Sequence, residues 1–268
     1  MRLPRQWTRE EDSILLQKYG DVPIRLLGID RDPSVIVKRA KKLGIVWNTT
    51  NLRRISRKKL SCNEKYFSIL TPQSAYWAGF IAADGCVVKR DRALVLVSKL
   101  SDKHHLEKFA KNIEFTGFVH ENQSGSYKPA IYARLAIYDV PGMLDDLKNI
   151  YNIVPRKTTI LIPPNLMNFE HQLAYLAGFI DGDGSIYMSS QSGQVLISIG
   201  GREVMMLWFK SVVDRIVGFD TGSKVRSVKG HDWFCEYKIS TKNTHTIASL
   251  VRGLDIPLLE RKWNHVKN

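Results

Sequence analysis

The sequence predicts an α+β protein, in which a small three-helix domain precedes two copies of one α-β-β-α-β-β-α unit. Three observations carry that expectation. The segment Ala75-Tyr-Trp-Ala-Gly-Phe-Ile-Ala-Ala-Asp-Gly85 returns 99 positions later as Ala174-Tyr-Leu-Ala-Gly-Phe-Ile-Asp-Gly-Asp-Gly184. Strand-like alternation and amphipathic helix follow each copy in the same order. Ahead of both, residues 1–47 carry helix signals. The expected division is therefore a helical domain over 1–47, a linker over 48–62, a first repeat over 63–160 and a second over 161–268.

In the helical domain Trp7 and Thr8 precede Arg9-Glu-Glu-Asp12, an N-cap hydroxyl followed by carboxylates in the first turn, where the helix dipole favours them. Ile14, Leu15, Leu16 and Tyr19 supply an apolar face, and Gly20 ends the helix. A short segment from Val22 to Leu27 follows, then Gly28 to Asp32 as a turn. Pro33 opens a third helix that runs through Leu43 and stops at Gly44. This last helix carries Lys38, Arg39, Lys41 and Lys42. A helix-turn-helix unit needs such a basic helix for the DNA major groove and two more to brace it. The alternative is a small basic bundle with a solvated charged face.

Residues 48–61 contain Arg53, Arg54, Arg57, Lys58 and Lys59 and no acid, which reads as a linker. It serves either as a solvated tether or, beside a DNA-binding unit, as a basic arm that tracks phosphates or enters a minor groove.

Composition bounds the function. With 268 residues and 44% hydrophobic content the chain can fill the cores of two or three domains. A formal net charge of +14 points to a polyanionic partner, nucleic acid before others. No apolar run reaches the ~18 residues of a membrane span, and no signal-peptide segment opens the chain, so it is expected inside a cell and off membranes. Cys62, Cys86 and Cys235 are odd in number and far apart, which suggests neither a disulfide framework nor a zinc knuckle and reads as reduced thiols. His104, His105, His231 and His245 lack the pattern of a histidine–metal nuclease and are expected at the surface or on DNA.

In the first repeat, strands are predicted at Cys86–Lys89 and Ala93–Val97, a helix from Asp102 to Asn112, strands at Gly117–Glu121 and Ala130–Tyr138, and a helix over Val140–Ile150. The second repeat gives Ser185–Met188 and Val195–Ile199, a helix from Arg202 to Val217, strands at Lys224–Val228 and Phe234–Ile239, and a helix over Asn243–Val251. The halves end alike, in Val154-Pro-Arg-Lys157 and Leu259-Glu-Arg-Lys262.

The duplicated helices explain their own composition. Ala75, Gly79 and Ala83 lie four apart in one, and Ala174, Gly178 and Gly182 in the other, stripes that let two backbones approach closely. A helical glycine costs about 1 kcal/mol relative to alanine, so its recurrence marks a packing requirement. Helices packed along these stripes bring Asp84 and Asp183 together at their C-terminal ends. There the dipole is unfavourable to carboxylates and the two repel each other, which a divalent cation with oxygen ligands relieves. Taken once, Asp-Gly is only a helix-ending turn; the repetition points to a site.

Two resemblances follow. The pattern Trp7-Thr-x-Glu-Glu-Asp12, Tyr19-Gly20, Arg39-Ala40 and Leu43-Gly44 is similar to a Myb/SANT-type DNA-binding domain over residues 5–47, with Ile29 and Ile36 where that family has tryptophans. Trp77 to Gly85 and Leu176 to Gly184 resemble the LAGLIDADG motifs of homing endonucleases, over residues 63–268. The second resemblance implies a monomer with two pseudo-symmetric halves, whose sheets form a DNA-binding saddle over double-stranded DNA. It implies hydrolysis of a phosphodiester in each strand with Mg²⁺, leaving short 3′ overhangs, and Mn²⁺ or Ca²⁺ able to substitute for binding. It places the metal on the eighth motif residues, Asp84 and Asp183, with the backbone of Gly85 and Gly184 as weaker ligands. The sixth position differs between the copies, Ala82 against Asp181. Lys157 and Lys262 match the basic residues around the scissile phosphates, and Lys99 the polar residue that orients catalytic water, with Ile199 aligned to it in the second half. Sequence readers on the sheets would be Arg90, Arg92, Arg134, Lys224, Arg226 and Lys229. Such an enzyme would work in the cytoplasm or nucleoid of a bacterial or phage-infected cell, or in an organelle. The alternative on the same fold is a catalytically inactive DNA-binding regulator or an RNA maturase.

Overall fold

Thr8 closes a capping box on the first helix, α1 (Arg9–Lys18): the Glu11 amide donates to its hydroxyl at 3.1 Å, and the Thr8 amide donates to the Glu11 carboxylate at 3.0 Å. Asp32 caps α2 (Pro33–Lys42) by accepting from the Ser34 amide at 2.7 Å. Leu15, Tyr19, Leu27, Ile36 and Ala40 form the core between them. The computed structural model describes residues 6–19, 24, 27–45, 60–123, 130–190 and 193–266. Most of the predicted second helical segment, Val22 to Leu27, and all five linker cations, Arg53, Arg54, Arg57, Lys58 and Lys59, lie outside the described residues. The chain separates into two units, Met1–Ser61 and Cys62–Asn268.

The larger unit begins with α3 (Pro72–Asp84), followed by β1 (Cys86–Val88), β2 (Ala93–Lys99), α4 (Lys103–Asn112), β3 (His120–Gln123), β4 (Ile131–Ile137) and α5 (Pro141–Tyr151). The same order repeats as α6 (Phe169–Asp183), β5 (Ser185–Met188), β6 (Val195–Arg202), α7 (Glu203–Val217), β7 (Val225–Ser227), β8 (Phe234–Ile239) and α8 (Thr241–Arg252), after which comes a single turn, α9 (Glu260–Trp263). Each repeat builds one four-stranded antiparallel sheet, β1-β2-β4-β3 and β5-β6-β8-β7. Alternation puts one face of each sheet into the core: Leu94, Leu96, Ala133, Leu135 and Ile137 in the first, Val195, Ile197, Ile199, Tyr237 and Ile239 in the second. A single core cluster spans both repeats, with α3 and α6 at its centre.

The register corrects one expectation. Cys86 pairs with Val95 and its counterpart Ser185 pairs with Ser198, so the second-half equivalent of Lys99 is Arg202. Ile199, aligned there from the sequence, is instead a core residue at 1% exposure. Both β2 and β6 therefore end on a cation, and the apolar entry expected in the second half is absent.

Between α3 and α6 the approach is as close as the small-residue stripes require. A Cβ added to Gly79 would lie 2.0 Å from the Tyr175 carbonyl oxygen, and one added to Gly178 1.9 Å from that of Tyr76. One turn on, a Cβ at Gly182 would meet Ala83 Cβ at 2.4 Å. The helices touch backbone to backbone.

Candidate active site

Each central helix ends where its glycine turns into extended backbone, Gly85 at φ −76° and ψ 152°, Gly184 at φ −78° and ψ 164°. Neither glycine is needed for its φ. A Cβ there would run into the last helical turn, 2.7 Å from the Ile81 or Ile180 carbonyl oxygen. The sharp exit leaves Asp84 and Asp183 as the last helical residues of a tightly apposed pair, both exposed to solvent. Their side chains share a hydrogen bond. Dense surroundings, then the charge and hydrogen bond of Asp183, push Asp84 up to about 6, while Lys262 and Lys157 oppose the rise. Two carboxyls that raise each other's cost of ionisation are a place where a cation is favoured.

The two lysines that end the repeats are nearly buried, each at 9% exposure. Lys262 Nζ donates to four carbonyls at the end of α6: Ile180 at 2.9 Å, Asp181 at 2.7 Å, Gly182 at 3.0 Å and Gly184 at 2.8 Å. Lys157 Nζ donates to Ala83 at the end of α3, at 2.9 Å. A cation on these carbonyls offsets the negative helix end on which the acids sit. Burial lowers both ammonium groups' affinity for protons, countered mainly by Asp183 for Lys157 and by Asp181 for Lys262. Sequence reasoning assigned these lysines to the substrate and missed their role as helix caps. The Gly184 carbonyl accepts one of the Lys262 bonds, at 2.8 Å.

Asp181, the odd member of the motif pair, is 2% exposed and ties the end of the second repeat to the seam. Its Oδ2 accepts from the Tyr76 hydroxyl at 2.6 Å and the Leu259 amide at 2.8 Å, and its Oδ1 from Trp263 Nε1 at 2.8 Å. Burial still pushes this carboxyl up to about 6, against the bonds from Tyr76 and Leu259 and the charge of Lys262. With its one proton on Asp181, the Tyr76 oxygen accepts from His105 Nε2 at 3.0 Å. His105, expected at the surface, is 1% exposed, and burial pushes it down to about 3. His104, His231 and His245 are exposed, as expected.

A cleft of about 340 Å³ opens beside Asp84, lined among others by Lys99, Asp102, Arg261, Lys262 and His265. Asp102 accepts both nitrogens of a fork from Arg261, at 2.7 and 2.6 Å. Burial works against the Asp102 charge, but the fork wins and holds this carboxyl below the usual range.

The other expected contacts divide. Arg134 and Arg226 lie on the strands, Arg134 opposite His120 and Arg226 opposite Glu236. Lys224 and Arg226 line a second hollow with Lys238. Arg92 forms an ion pair with Asp139, and Arg90 and Lys229 are exposed in turns. In the smaller unit Lys38, Lys41 and Lys42 are exposed, but Arg39 turns inward, pairing with Asp12 and lying 5.6 Å over Trp7.

The chain superposes on the homing endonuclease I-WcaI, bound to its DNA recognition sequence, with a TM-score of 0.52 over 83% of this chain and 96% of that one, at 14% identity. The fold is the two-repeat LAGLIDADG fold. WhiA from Thermatoga maritima gives a TM-score of 0.44 at 14% identity, over 76% of this chain and 62% of that one. The I-LtrWI LAGLIDADG homing endonuclease bound to target DNA gives 0.41 at 16% identity, over 74% and 87%. In sequence, an uncharacterized protein of Methanocaldococcus jannaschii is 24% identical over 157 residues, 55% of each chain. The chain thus spans about half the length of the curated relative it matches. No family model matches the sequence.

Proposed function

We propose that this chain is a site-specific LAGLIDADG-type endonuclease that hydrolyses a phosphodiester in each strand of double-stranded DNA with Mg²⁺, acts as a monomer and leaves short 3′ overhangs. The observation that supports this most is the Asp84–Asp183 pair, two exposed carboxyls brought into hydrogen-bonding contact at the C-terminal ends of helices that touch backbone to backbone. Two acids with open positions beside them suit Mg²⁺, which completes its shell with water and phosphate. Among the described residues no group of three or more His, Cys, Asp or Glu competes as a metal centre.

Asp84 and Asp183 would hold the ion, which supplies water activation and stabilisation of the leaving oxygen when bound. The rest falls to the chain. The glycine seam fixes the separation of the two acids. Asp84 gives up its proton before it can act as a ligand, so cation binding weakens as pH falls through about 6. Basic side chains around the pair offset charge on the phosphoryl group as the bond to the leaving oxygen breaks.

The outer faces of the sheets, with Arg134 and Arg226, and the adjoining Lys224, would read the major groove. The Myb/SANT-like unit would add a flanking contact through Lys38, Lys41 and Lys42. The test is cleavage of a tiled or randomised DNA library by purified protein with and without Mg²⁺. Asp84→Asn should abolish cutting and keep DNA binding, and an Asp84→Asn protein that still cuts both strands refutes the assignment.

One observation supports the other reading, a DNA-binding regulator or maturase on this fold. Lys157 and Lys262 already offset the helix ends, so the acids are tolerable without a cation. Metal-independent DNA binding with no cleavage of any library member would select it.

A further inference from the structure

The two halves end in the same Arg-Lys pair but use it oppositely. In the second, Arg261 is held in the Asp102 fork and Lys262 spends its three N–H bonds on four carbonyls. In the first, Arg156 is exposed, and Lys157 gives one N–H to Ala83 and keeps two. Arg156 also adopts a left-handed φ of 59°, which costs an L-residue roughly 1 kcal/mol, whereas Arg261 lies within an ordinary helical turn.

The ends of β2 and β6 show the reverse. Lys99 is exposed on the cleft beside Asp84. Its counterpart Arg202 is half-buried and donates to the Leu161 carbonyl at 3.3 Å. Lys99, which shares the cleft with Asp84, and Lys157, which gives a single bond to Ala83, thus keep N–H groups to spare, and Lys262 does not.

Resting on the endonuclease reading, we infer that the two half-sites are not equivalent: Lys99 and Lys157 contact phosphates, and Lys262 is a positioning residue that caps α6. A free ammonium can donate to a phosphate oxygen as charge builds, whereas an ammonium fully bonded to carbonyls acts only as fixed charge.

The experiment uses the full chain and a duplex carrying the cleavage site found in the library, each strand labelled separately, and follows both cutting rates for Lys99→Met, Lys157→Met and Lys262→Met. Loss of one phosphate donor is expected to slow its strand about 100-fold. Lys99→Met and Lys157→Met should each slow at least one strand by that factor, with Lys157→Arg restoring part of the loss. Thermal unfolding of the same variants needs no DNA: Lys262→Met should lower the melting temperature by at least about 4 °C more than Lys157→Met. Wild-type cutting of both strands by Lys99→Met or by Lys157→Met, or equal melting temperatures for Lys157→Met and Lys262→Met, would overturn the assignment. A wild-type protein that cuts neither strand with Mg²⁺ refutes the endonuclease reading instead, and the melting comparison then still decides the role of Lys262.

Discussion

Gly178→Ala tests whether the seam is as tight as its glycines require. The new methyl would sit 1.9 Å from the Tyr76 carbonyl oxygen, 2.8 Å from its carbon and 2.9 Å from the Phe80 nitrogen. Ordinary contact lies near 3.5 Å, so the two helices must part by more than about 1 Å. All three obstacles are backbone atoms, and no rotamer change removes them. Alanine returns about 1 kcal/mol of helix propensity. Overpacking typically costs about 1–3 kcal/mol, and a rigid backbone obstacle puts this case at or beyond the upper end. The balance is a loss of about 2 kcal/mol, or a melting temperature roughly 4–8 °C lower for a domain of this size. Gly201→Ala is the control, because its nearest neighbour is the mobile end of Met206 at 3.3 Å. Differential scanning calorimetry of the two variants decides. A Gly178→Ala protein that melts at or above the wild-type temperature refutes the backbone contact, as does a Gly79→Ala/Gly178→Ala pair that costs the full sum of its parts, since one separation should serve both methyls.

In metal-free buffer Asp84 is pushed up in the folded state, so its contribution to stability is fully present below about pH 4 and is lost as pH rises through about 6. Asp84→Asn should therefore stabilise the apo protein at pH 7 and leave it unchanged at pH 4, read as the difference in urea midpoints. Tyr76→Phe strands His105 Nε2 and takes a donor from buried Asp181, and should cost about 1–3 kcal/mol in urea unfolding. Deleting residues 1–60 should weaken DNA affinity and shorten the nuclease-protected footprint on one flank while cut positions stay fixed; an unchanged footprint removes the flanking role.

Much of this was legible in the sequence because it is local. The Thr8 cap, the strands Ser185–Met188 and Phe234–Ile239 and the glycine stripes follow from neighbouring residues and periodicity. What the sequence hid depends on partners far along the chain. Arg39 looks like a DNA contact within α2, but Asp12 and Trp7 claim it. The equivalence of Lys99 with Arg202 is set by strand register, because the turn between β1 and β2 is shorter than that between β5 and β6. His105 is buried by a helix-to-helix bond with Tyr76, 29 residues away in sequence. The lysine caps had a trace: two Arg-Lys ends one repeat apart, each able to reach a helix end whose carbonyls need donors.

Stability and chemistry meet in the same stripe. Asp84 and Asp183 each lie five residues beyond their seam glycine, about 7.5 Å along the helix. Any separation forced at Gly79 or Gly178 is carried toward the acids, whose shared hydrogen bond tolerates only a few tenths of an ångström. A seam variant must therefore lose cation affinity along with melting temperature. Lys262→Met should behave differently, lowering the melting temperature while Gly79 and Gly178 keep the helices in contact. Calorimetric Mg²⁺ titration of Gly178→Ala separates the two kinds of loss. Wild-type affinity in a protein that melts several degrees lower would show that the acids are placed by something other than the seam.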